Sequence, residues 1–515
     1  MADLNILDIG KASYSPTLEF QQTLVERVKN TEDEEAFLVL VEHDPPVITI
    51  GRNGTDRNVL ASKEMLARMG FETFEINRGG DVTYHGPGQI VAYPIIRLDL
   101  HGKDLHKYLR DIEEVIIRVL AEFKITGHRV EGLTGVWAGN EKIAATGITV
   151  KKWVTYHGLA LNVCPDLSHY QTIVPCGITD KGVTSLSALL GRQISTYEVK
   201  PILMKCFGDV FGFSFPSIPV SPRHRVTASL PKWLKKRVPS GGKTASGVST
   251  MLSDMKLKTV CSGAHCPNLP ECYARKTATF MILGENCTRN CRFCAVEQKP
   301  VNPPDPYEPE SVAEASAKLG LRHVVITSVT RDDLPDGGAA HFAATINAVR
   351  KKMPNAVIEI LTPDFKFNKQ AIDTVIDSQP DVFNHNVETA PRLYESVRPE
   401  ADYNQSLEVL RYIAQSAAKK GIKLHTKSGL MVGLGESNEE VIKVIRDLRD
   451  AGCSILTIGQ YLAPTDKHLP VVHYVEPPEY ELWAAAAKAM GFSSVAAGPF
   501  VRSSYQAEEV FLSAK

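Results

Sequence analysis

The sequence predicts two domains in tandem. An α+β domain over residues 1–215 is followed by a linker over 216–228, and then by an α/β domain over 229–515 built as a partial (β/α)6 barrel of the TIM type. Three observations predict this. A chain of 515 residues exceeds what one hydrophobic core organises. The first half sets apolar strands in hairpins between separate helices, as α+β folds do. In the second half strands and helices alternate, the pattern of a parallel barrel. Between the halves, PSIPVSPRHRVTA has three prolines among polar residues and no period, the composition of a semi-stiff connector.

The elements follow in chain order. Residues 36–50, AFLVLVEHDPPVITI, read as two strands broken by Pro45 and Pro46. Asp104 is a candidate N-cap for a helix through Leu105, Tyr108, Ile112, Val115 and Val119. Residues 135–163 read as successive hairpins with turns at Gly139-Asn140 and Lys151-Lys152. Beyond the linker, KWLKKR at 232–237 is a solvated basic face beside an anchoring tryptophan. Residues 240–249, polar and glycine-bearing, read as a loop. Six strands are expected at TATFMIL, HVVITSV, AVIEILT, DVFNHNVE, KLHTKSGLMV and ILTIGQYL. Helices between them use Val312, Ala315 and Leu319, then Phe342, Ile346, Val349 and Met353. A third opens on the capping box Ser437-x-x-Glu440.

Bulk properties exclude some classes. Net charge is −1 with no extended basic face, so nucleic acid is not the expected partner. No run of about eighteen apolar residues is present, so no membrane span is expected. The opening MADLNILDIG lacks a basic start and an apolar core, so a cytoplasmic location is expected. Thiols are kept reduced there, and the ten cysteines read as ligands, nucleophiles or core residues. Cys164, Cys206 and Cys453 lack partners at ligand spacing and read as packed thiols. His385 and His425 read as buried hydrogen-bonding groups.

Three pieces of the first half carry candidate chemistry. Residues 78–89, RGGDVTYHGPGQ, hold four glycines, which let a backbone bend and approach a ligand; on spacing alone they equally suit a surface turn. Lys142 lies in a strand of small residues, EKIAATG. Cys176 lies between Pro175 and Gly177, where a cysteine is either a nucleophile or a small packed residue. Together with GVW at 135–137, KIAATGI at 142–148, WVTYHGLALNV at 153–163 and PCGI at 175–178, these resemble, in family order, the octanoyltransferases that begin lipoate assembly, within the lipoate/biotin protein ligase superfamily.

The resemblance implies that Cys176 carries the acyl group and Lys142 is its partner. Physically, a nearby ammonium favours the reactive thiolate and then moves a proton. The donor implied is octanoyl-acyl carrier protein. The acyl pocket implied comprises Arg78, Gly79, Gly80, Asp81, Val82, Thr83, Tyr84 and His85, with Ala145, Thr146 and Gly147 facing Gly158, Leu159 and Ala160. No Gly-x-Ser-x-Gly elbow or ATP-type phosphate loop is present, against the ATP-using ligase branch.

Six of the ten cysteines fall within residues 261–294 as two triplets. Cys287, Cys291 and Cys294 have the spacing Cys-x-x-x-Cys-x-x-Cys and follow the first barrel strand. Thiolates so spaced converge on one centre, either zinc or an iron–sulfur cluster. After a barrel's first strand this triplet resembles the radical S-adenosylmethionine enzymes, in which three thiolates hold a 4Fe–4S cluster whose open iron takes S-adenosylmethionine. The upstream triplet Cys261, Cys266 and Cys272 narrows the resemblance to lipoyl synthase, as do TSVTRDDLPDGG, NHNVET, VRPEADY, KSGLMVGLGE, TIGQYLAPTDKHLPV and GPFVRSSY.

That resemblance implies an auxiliary 4Fe–4S cluster on Cys261, Cys266 and Cys272, consumed as the sulfur source, with a serine as fourth ligand. Ser504 is favoured over Ser503. Ser262 and Gly263 depart from the acidic residues usual there. Asn386 and Glu388 are candidate S-adenosylmethionine contacts. The whole chain then reads as a fusion of two consecutive lipoylation enzymes. Its implied partners are lipoyl-carrier domains of 2-oxoacid dehydrogenase E2 subunits and of the glycine cleavage H protein, an electron donor and iron–sulfur assembly proteins. Competing readings are a biotin synthase relative and a zinc-bound interaction protein with a degenerate acyl-binding module.

Overall fold

The computed structural model describes residues 3–31, 34–54, 56–177, 181–215, 230–235, 242–264, 266–275 and 277–514; the side chains of Asp56, Cys176 and residues 242–245 lie outside the description. The expected linker and the start of the second domain fall at positions outside the described residues. The chain divides into two compact units, one over Met1–Ser217 with Ala489–Gly491 and a second over Ile218–Lys488 and Phe492–Lys515.

The first unit contains β1 (Leu4–Ala12), β2 (Ala36–His43), β3 (Val47–Ile50), β4 (Glu72–Glu75), β5 (Val82–His85), β6 (Gln89–Ile95), β7 (Val136–Ala138), β8 (Glu141–Lys151), β9 (Val154–Asn162) and β10 (Gly182–Val183). The larger sheet runs β1-β2-β6-β9-β8-β10 with β7 beside β8, and a smaller one runs β4-β3-β5. Every residue of β2, β6 and β9 is buried; since successive side chains point to opposite faces, both faces of the sheet are covered at these strands. The helix Leu105–Glu122 puts Ile112, Val115, Ile116 and Val119 into that core. Its N-cap is Asp104, whose side chain accepts from His106 N and Lys107 N.

Two expectations shift here. The hairpin turn falls at Lys152-Trp153, both with positive φ (51° and 66°), the twist a two-residue hairpin needs, though neither is a glycine. Within residues 78–89, Val82–His85 form a buried strand paired antiparallel to β3, so the segment is no surface turn.

The second unit contains β11 (Lys258–Thr259), β12 (Thr279–Ile282), β13 (His323–Ser328), β14 (Val357–Leu361), β15 (Val382–Asn384), β16 (His425–Val432), β17 (Ile455–Gln460) and β18 (Ser494–Gly498). They form one sheet in sequential order, parallel from β12 to β18, with β11 antiparallel at the edge. β11 and β18 do not pair, so the barrel is open. The six expected strands are present. A seventh parallel strand, Ser494–Gly498, is added to these; SVAAG has little β-branched character and no alternation to mark it in the sequence. The expected loop at 240–249 is instead helical over Gly242–Asp254, drawn into the core by Val248 and Leu252. Ser437 and Glu440 form the reciprocal capping box of Asn438–Asp450, and Gly320 closes Glu308–Leu319 at φ 68°. Trp233 Nε1 donates to Val475 O at 3.2 Å while Leu234 is buried, so the tryptophan anchors this stretch.

Candidate active sites

In the first unit a cavity of about 310 Å³ opens between β5, β6, β8 and β9. Its lining includes Arg78, Gly80, Asp81, Thr83, His85, Lys142, Ala145, Thr146, Gly147, Gly158, Leu159 and Ala160. Gly79, Val82 and Tyr84 are not in the lining. Strand alternation turns Val82 and Tyr84 into the cluster with Ile48 and Phe71, and Tyr84 Oη lies 2.8 Å from His169 Nδ1. Gly147 and Gly158 are cross-strand partners. A Cβ on Gly158 would lie 2.2 Å from Ala92 O, and one on Gly147 3.0 Å from Gly79 O, so glycine lets these backbones approach closely beside the cavity.

Lys142 is buried at one end of this strand pair. Its Nζ lies 5.0 Å from the centre of the Trp137 ring, against Gly135. A Cβ on Gly135 would meet Lys142 Cε at 2.7 Å, and its φ of 121° suits glycine alone. Cys176 sits in the single turn Pro175–Gly177, its side chain outside the description. The arms of that segment are anchored on both sides of the cavity. Gly177 faces Asp81, whose Oδ2 would lie 3.0 Å from an added Cβ; Val174 N donates to Asn58 O at 2.7 Å; and Val183 pairs with Lys142 itself.

The lining also includes residues not singled out in the sequence: Tyr14, Asn53, Val91, Tyr93, Gly132, Leu133, Thr134 and His157. His43, His85 and His157 are all held neutral. Burial pushes His43 down to about 4 and His157 to about 3, and takes His85 well below the usual range; the Arg78 charge adds to the effect on the last two. Gln89 donates to Tyr84 O, Asn162 Oδ1 and Tyr170 Oη, so its oxygen accepts from His85 Nδ1 at 3.3 Å. These histidines come from strands far apart in sequence, so no local motif marks them.

In the second unit both cysteine triplets flank β12. Cys287 N donates to Glu297 O at 3.0 Å, closing the loop of the second triplet. Around that loop, Arg292 N donates to Val397 O, Leu469 N to Arg292 O, and His468 Nε2 lies 3.0 Å from Cys294 O. Phe293 enters an apolar group with Leu434, Tyr461 and Val471. Among the described residues no three His, Cys, Asp or Glu side chains converge on a single ion.

The residues present nonetheless fit the soft, cluster-type centre their donor set calls for. Burial pushes Cys294 up to about 12 and raises Cys291 and Cys261, so these thiols ionise only when a cation takes the proton's place. The Arg398 guanidinium works in the opposite sense on Cys291. Buried polar atoms without partners gather at the C-terminal ends of β13–β15 and just beyond: Ser328 Oγ, Thr362 Oγ1, both amide atoms of Asn384, His385 Nε2, Asn386 Oδ1 and Arg398 Nε. Such atoms mark where a polar ligand is to be received. Asn386 Nδ2 donates to Glu388 Oε1 at 3.0 Å, and burial raises the Glu388 carboxyl.

The C-terminal tail meets the first triplet across more than two hundred residues. Asn268 Nδ2 donates to Phe500 O, Tyr505 Oη to Glu271 Oε1, and Thr279 Oγ1 to Ser504 Oγ at 2.8 Å. Thr279 also hydrogen-bonds Cys261. Ser503 points elsewhere, accepting from Asn386 Nδ2 at 2.7 Å. Cys206 and Cys453 are packed thiols, as expected, and Cys164 is half-buried. His385 is buried with Nδ1 3.0 Å from Thr362 O, and His425 Nδ1 lies 3.4 Å from Ser454 Oγ.

A cysteine triplet after the first strand of an open parallel barrel, beside a pocket of unpartnered polar groups, defines a radical S-adenosylmethionine protein, and residues 281–448 match that superfamily. Residues 13–208 match the lipoyl protein ligase A/B catalytic domain. Over 283 residues the chain is 54% identical to a lipoyl synthase of Caldanaerobacter subterraneus, covering 55% of this chain and 97% of that protein. Over 279 residues it is 55% identical to a lipoyl synthase of Rubrobacter xylanophilus, covering 54% and 85%. The chain belongs, through its second unit, to the lipoyl synthase family. Membership implies 4Fe–4S clusters and S-adenosylmethionine as cofactors. A solved structure of a bipartite lipoate protein ligase with its E2 lipoyl domain, from Thermoplasma acidophilum, aligns at TM-score 0.37 and 16% identity, covering 42% of this chain and 86% of that one.

Proposed function

We propose that the chain is a bifunctional enzyme of protein lipoylation, with working parts over residues 1–215 and 229–515 joined by 216–228. The first transfers octanoyl from acyl carrier protein to a lysine of a lipoyl-carrier domain. The second inserts two sulfurs at carbons six and eight of that chain to give lipoyl-lysine. The observation that carries the first activity is the glycine-floored cavity with Lys142 at one end and the Cys176 segment anchored to Asp81 and to Lys142's own strand.

In this reading the Cys176 thiolate attacks the octanoyl thioester and expels the carrier's thiol. Lys142 stabilises the thiolate and carries the proton. The acceptor lysine then attacks the acyl-cysteine and leaves an amide, returning the thiol. The chain lies against Ala145 to Gly147 and Gly158 to Ala160, where backbone replaces side chains.

In the second unit Cys287, Cys291 and Cys294 hold the cluster that binds S-adenosylmethionine. Cys261, Cys266, Cys272 and Ser504 hold the auxiliary one, with the Ser504–Thr279–Cys261 contacts as support. Bound S-adenosylmethionine and its cluster supply a carbon radical able to remove hydrogen from an unactivated C–H bond. Asn386, Glu388 and Arg398 orient the cofactor's polar end, and the Phe293 group keeps water from the loop. Carrier domains of 2-oxoacid dehydrogenase E2 subunits and the glycine cleavage H protein, acyl carrier protein, an electron donor, iron–sulfur assembly proteins and a cytoplasmic setting belong to the same reading. The test is the intact mass of an unmodified carrier domain after anaerobic incubation with reconstituted protein, octanoyl-acyl carrier protein, S-adenosylmethionine and reductant. A shift for octanoyl plus two sulfurs is expected; no shift refutes the proposal.

A further inference from the structure

Between Cys287 and Cys291 the loop carries Arg289, whose guanidinium is buried. It makes two bidentate pairs. Nε and Nη2 donate to Asp332 Oδ2 and Oδ1 at 2.6 and 3.0 Å, and Nη1 and Nη2 donate to Asp364 Oδ2 and Oδ1 at 2.9 and 2.7 Å. Asp332 lies just beyond β13 and Asp364 just beyond β14, so one side chain ties the loop to two successive strand ends. Gln405 Nε2 and Lys366 N also donate to Asp364. Two carboxylates around one guanidinium form a charge cluster that tolerates no missing partner.

The same segment reaches the sulfur. Thr288 N and Oγ1 donate to Thr330 O at 3.1 and 3.0 Å, and Asp332 N donates to Thr288 Oγ1 at 3.0 Å. This brings Thr330 N to 3.3 Å and Arg289 N to 3.5 Å from Cys287 Sγ. Neither N–H is a feature of side-chain identity; both depend on how residues 330–332 are pressed against the loop. Arg289 supplies that pressure from the other side of Asp332.

We propose that Arg289 is a positioning residue that, through Asp332 and Asp364, keeps two backbone N–H donors on Cys287 Sγ and so sets both the retention and the reduction potential of the iron held by Cys287, Cys291 and Cys294. The proposal rests on those three cysteines being the ligands. Hydrogen bonds to a cluster's sulfurs stabilise the added electron, so losing them moves the potential negative. Arg289→Lys keeps the charge and loses the fork, which isolates geometry from charge.

The full chain is reconstituted anaerobically as wild type, Arg289→Lys, Arg289→Gln, Arg289→Gln/Asp364→Asn and Cys291→Ala. Iron release to a chelator and the midpoint potential by electron paramagnetic resonance are then measured, the iron at Cys261, Cys266 and Cys272 serving as internal reference. Arg289→Gln is expected to release iron at least about tenfold faster. Arg289→Lys is expected to disfavour reduction about tenfold, a shift of ~59 mV for one electron. The double variant should recover retention, because it removes an uncompensated carboxylate, and keep the shifted potential, because the fork is still absent. Arg289→Lys with wild-type potential would overturn the proposal, including the case where it merely holds less iron. Cys291→Ala holding wild-type iron would instead overturn the ligand assignment beneath it.

Discussion

The two sites of this chain are built on opposite plans. The first unit closes a cavity among strands and finishes its electrostatics with its own side chains. Three imidazoles are held neutral by burial, two of them beside the Arg78 charge, and Lys142 is fixed between Gly135 and Trp137. The second unit holds loops together by charge, at Arg289 with Asp332 and Asp364, and leaves polar atoms on β13–β15 without partners. An unmet buried polar group costs about 1–3 kcal/mol, so a cluster of them is sustained where a ligand will meet it. The first site holds fewer such atoms, Tyr14 Oη and Thr146 Oγ1 in its cavity lining. A site that borrows its chemistry keeps part of its hydrogen bonding in reserve.

That contrast breaks most sharply with paired substitutions. Cys176→Ser should lower octanoyl transfer by about a thousandfold or more, since the hydroxyl is a far weaker nucleophile near neutrality, and leave sulfur insertion into a pre-octanoylated carrier intact. Cys291→Ala should do the reverse, removing iron and sulfur insertion. Separate assays of both steps on each variant check this, and one substitution that abolished both would end the picture of two independent sites.

The next effect separates two neighbouring serines. Ser504→Ala removes the hydroxyl bonded to Thr279 and should lower iron retained at the first triplet severalfold, with little change at the second. Ser503→Ala should disturb the Asn386 contact and weaken S-adenosylmethionine binding instead. Iron analysis and cofactor titration of the two variants test the division; equal iron in both would contradict it.

The smallest effect is on acid stability. A buried histidine whose folded pKa is depressed resists the proton that the unfolded chain takes up below about 6.5, so stability falls with pH between the unfolded and folded values. His43, at about 4, contributes a loss of about 1.4 kcal/mol per pH unit below 6.5, and His85 and His157 act in the same direction. Among the described histidines of the second unit only His385, at about 4, acts clearly in that sense, while the raised carboxyls of Glu388 and Glu436 bind protons more readily folded and offset it. Hydrogen exchange by unit from pH 7 to 5 should therefore show the first unit opening earlier. Equal opening would sink this ranking.

The cysteine spacings, the alternation of the barrel, the Asp104 and Ser437 caps and the glycine motif were legible because each is a local pattern, set by neighbours a few residues apart. The seventh strand was not, since SVAAG is a strand only because β17 lies ready to pair with it. Likewise Gly242–Asp254 is a helix only because the core receives Val248 and Leu252. The choice among residues 78–85 also waited on the fold, where pleating sends Thr83 and His85 to the cavity and Val82 and Tyr84 away from it.

By itself, then, the sequence determined that the chain has two domains and which family the second resembles, because thiolate spacing and period are written in consecutive residues. Only the tertiary structure decided which distant groups complete each site. The tail at Phe500, Ser504 and Tyr505 meets Asn268, Thr279 and Glu271, Arg289 meets Asp332 and Asp364, and His85 and His157, from two strands, feel the charge of Arg78. Contacts between residues far apart in the chain form when strand order and register bring their backbones together, and no short window of sequence carries that information.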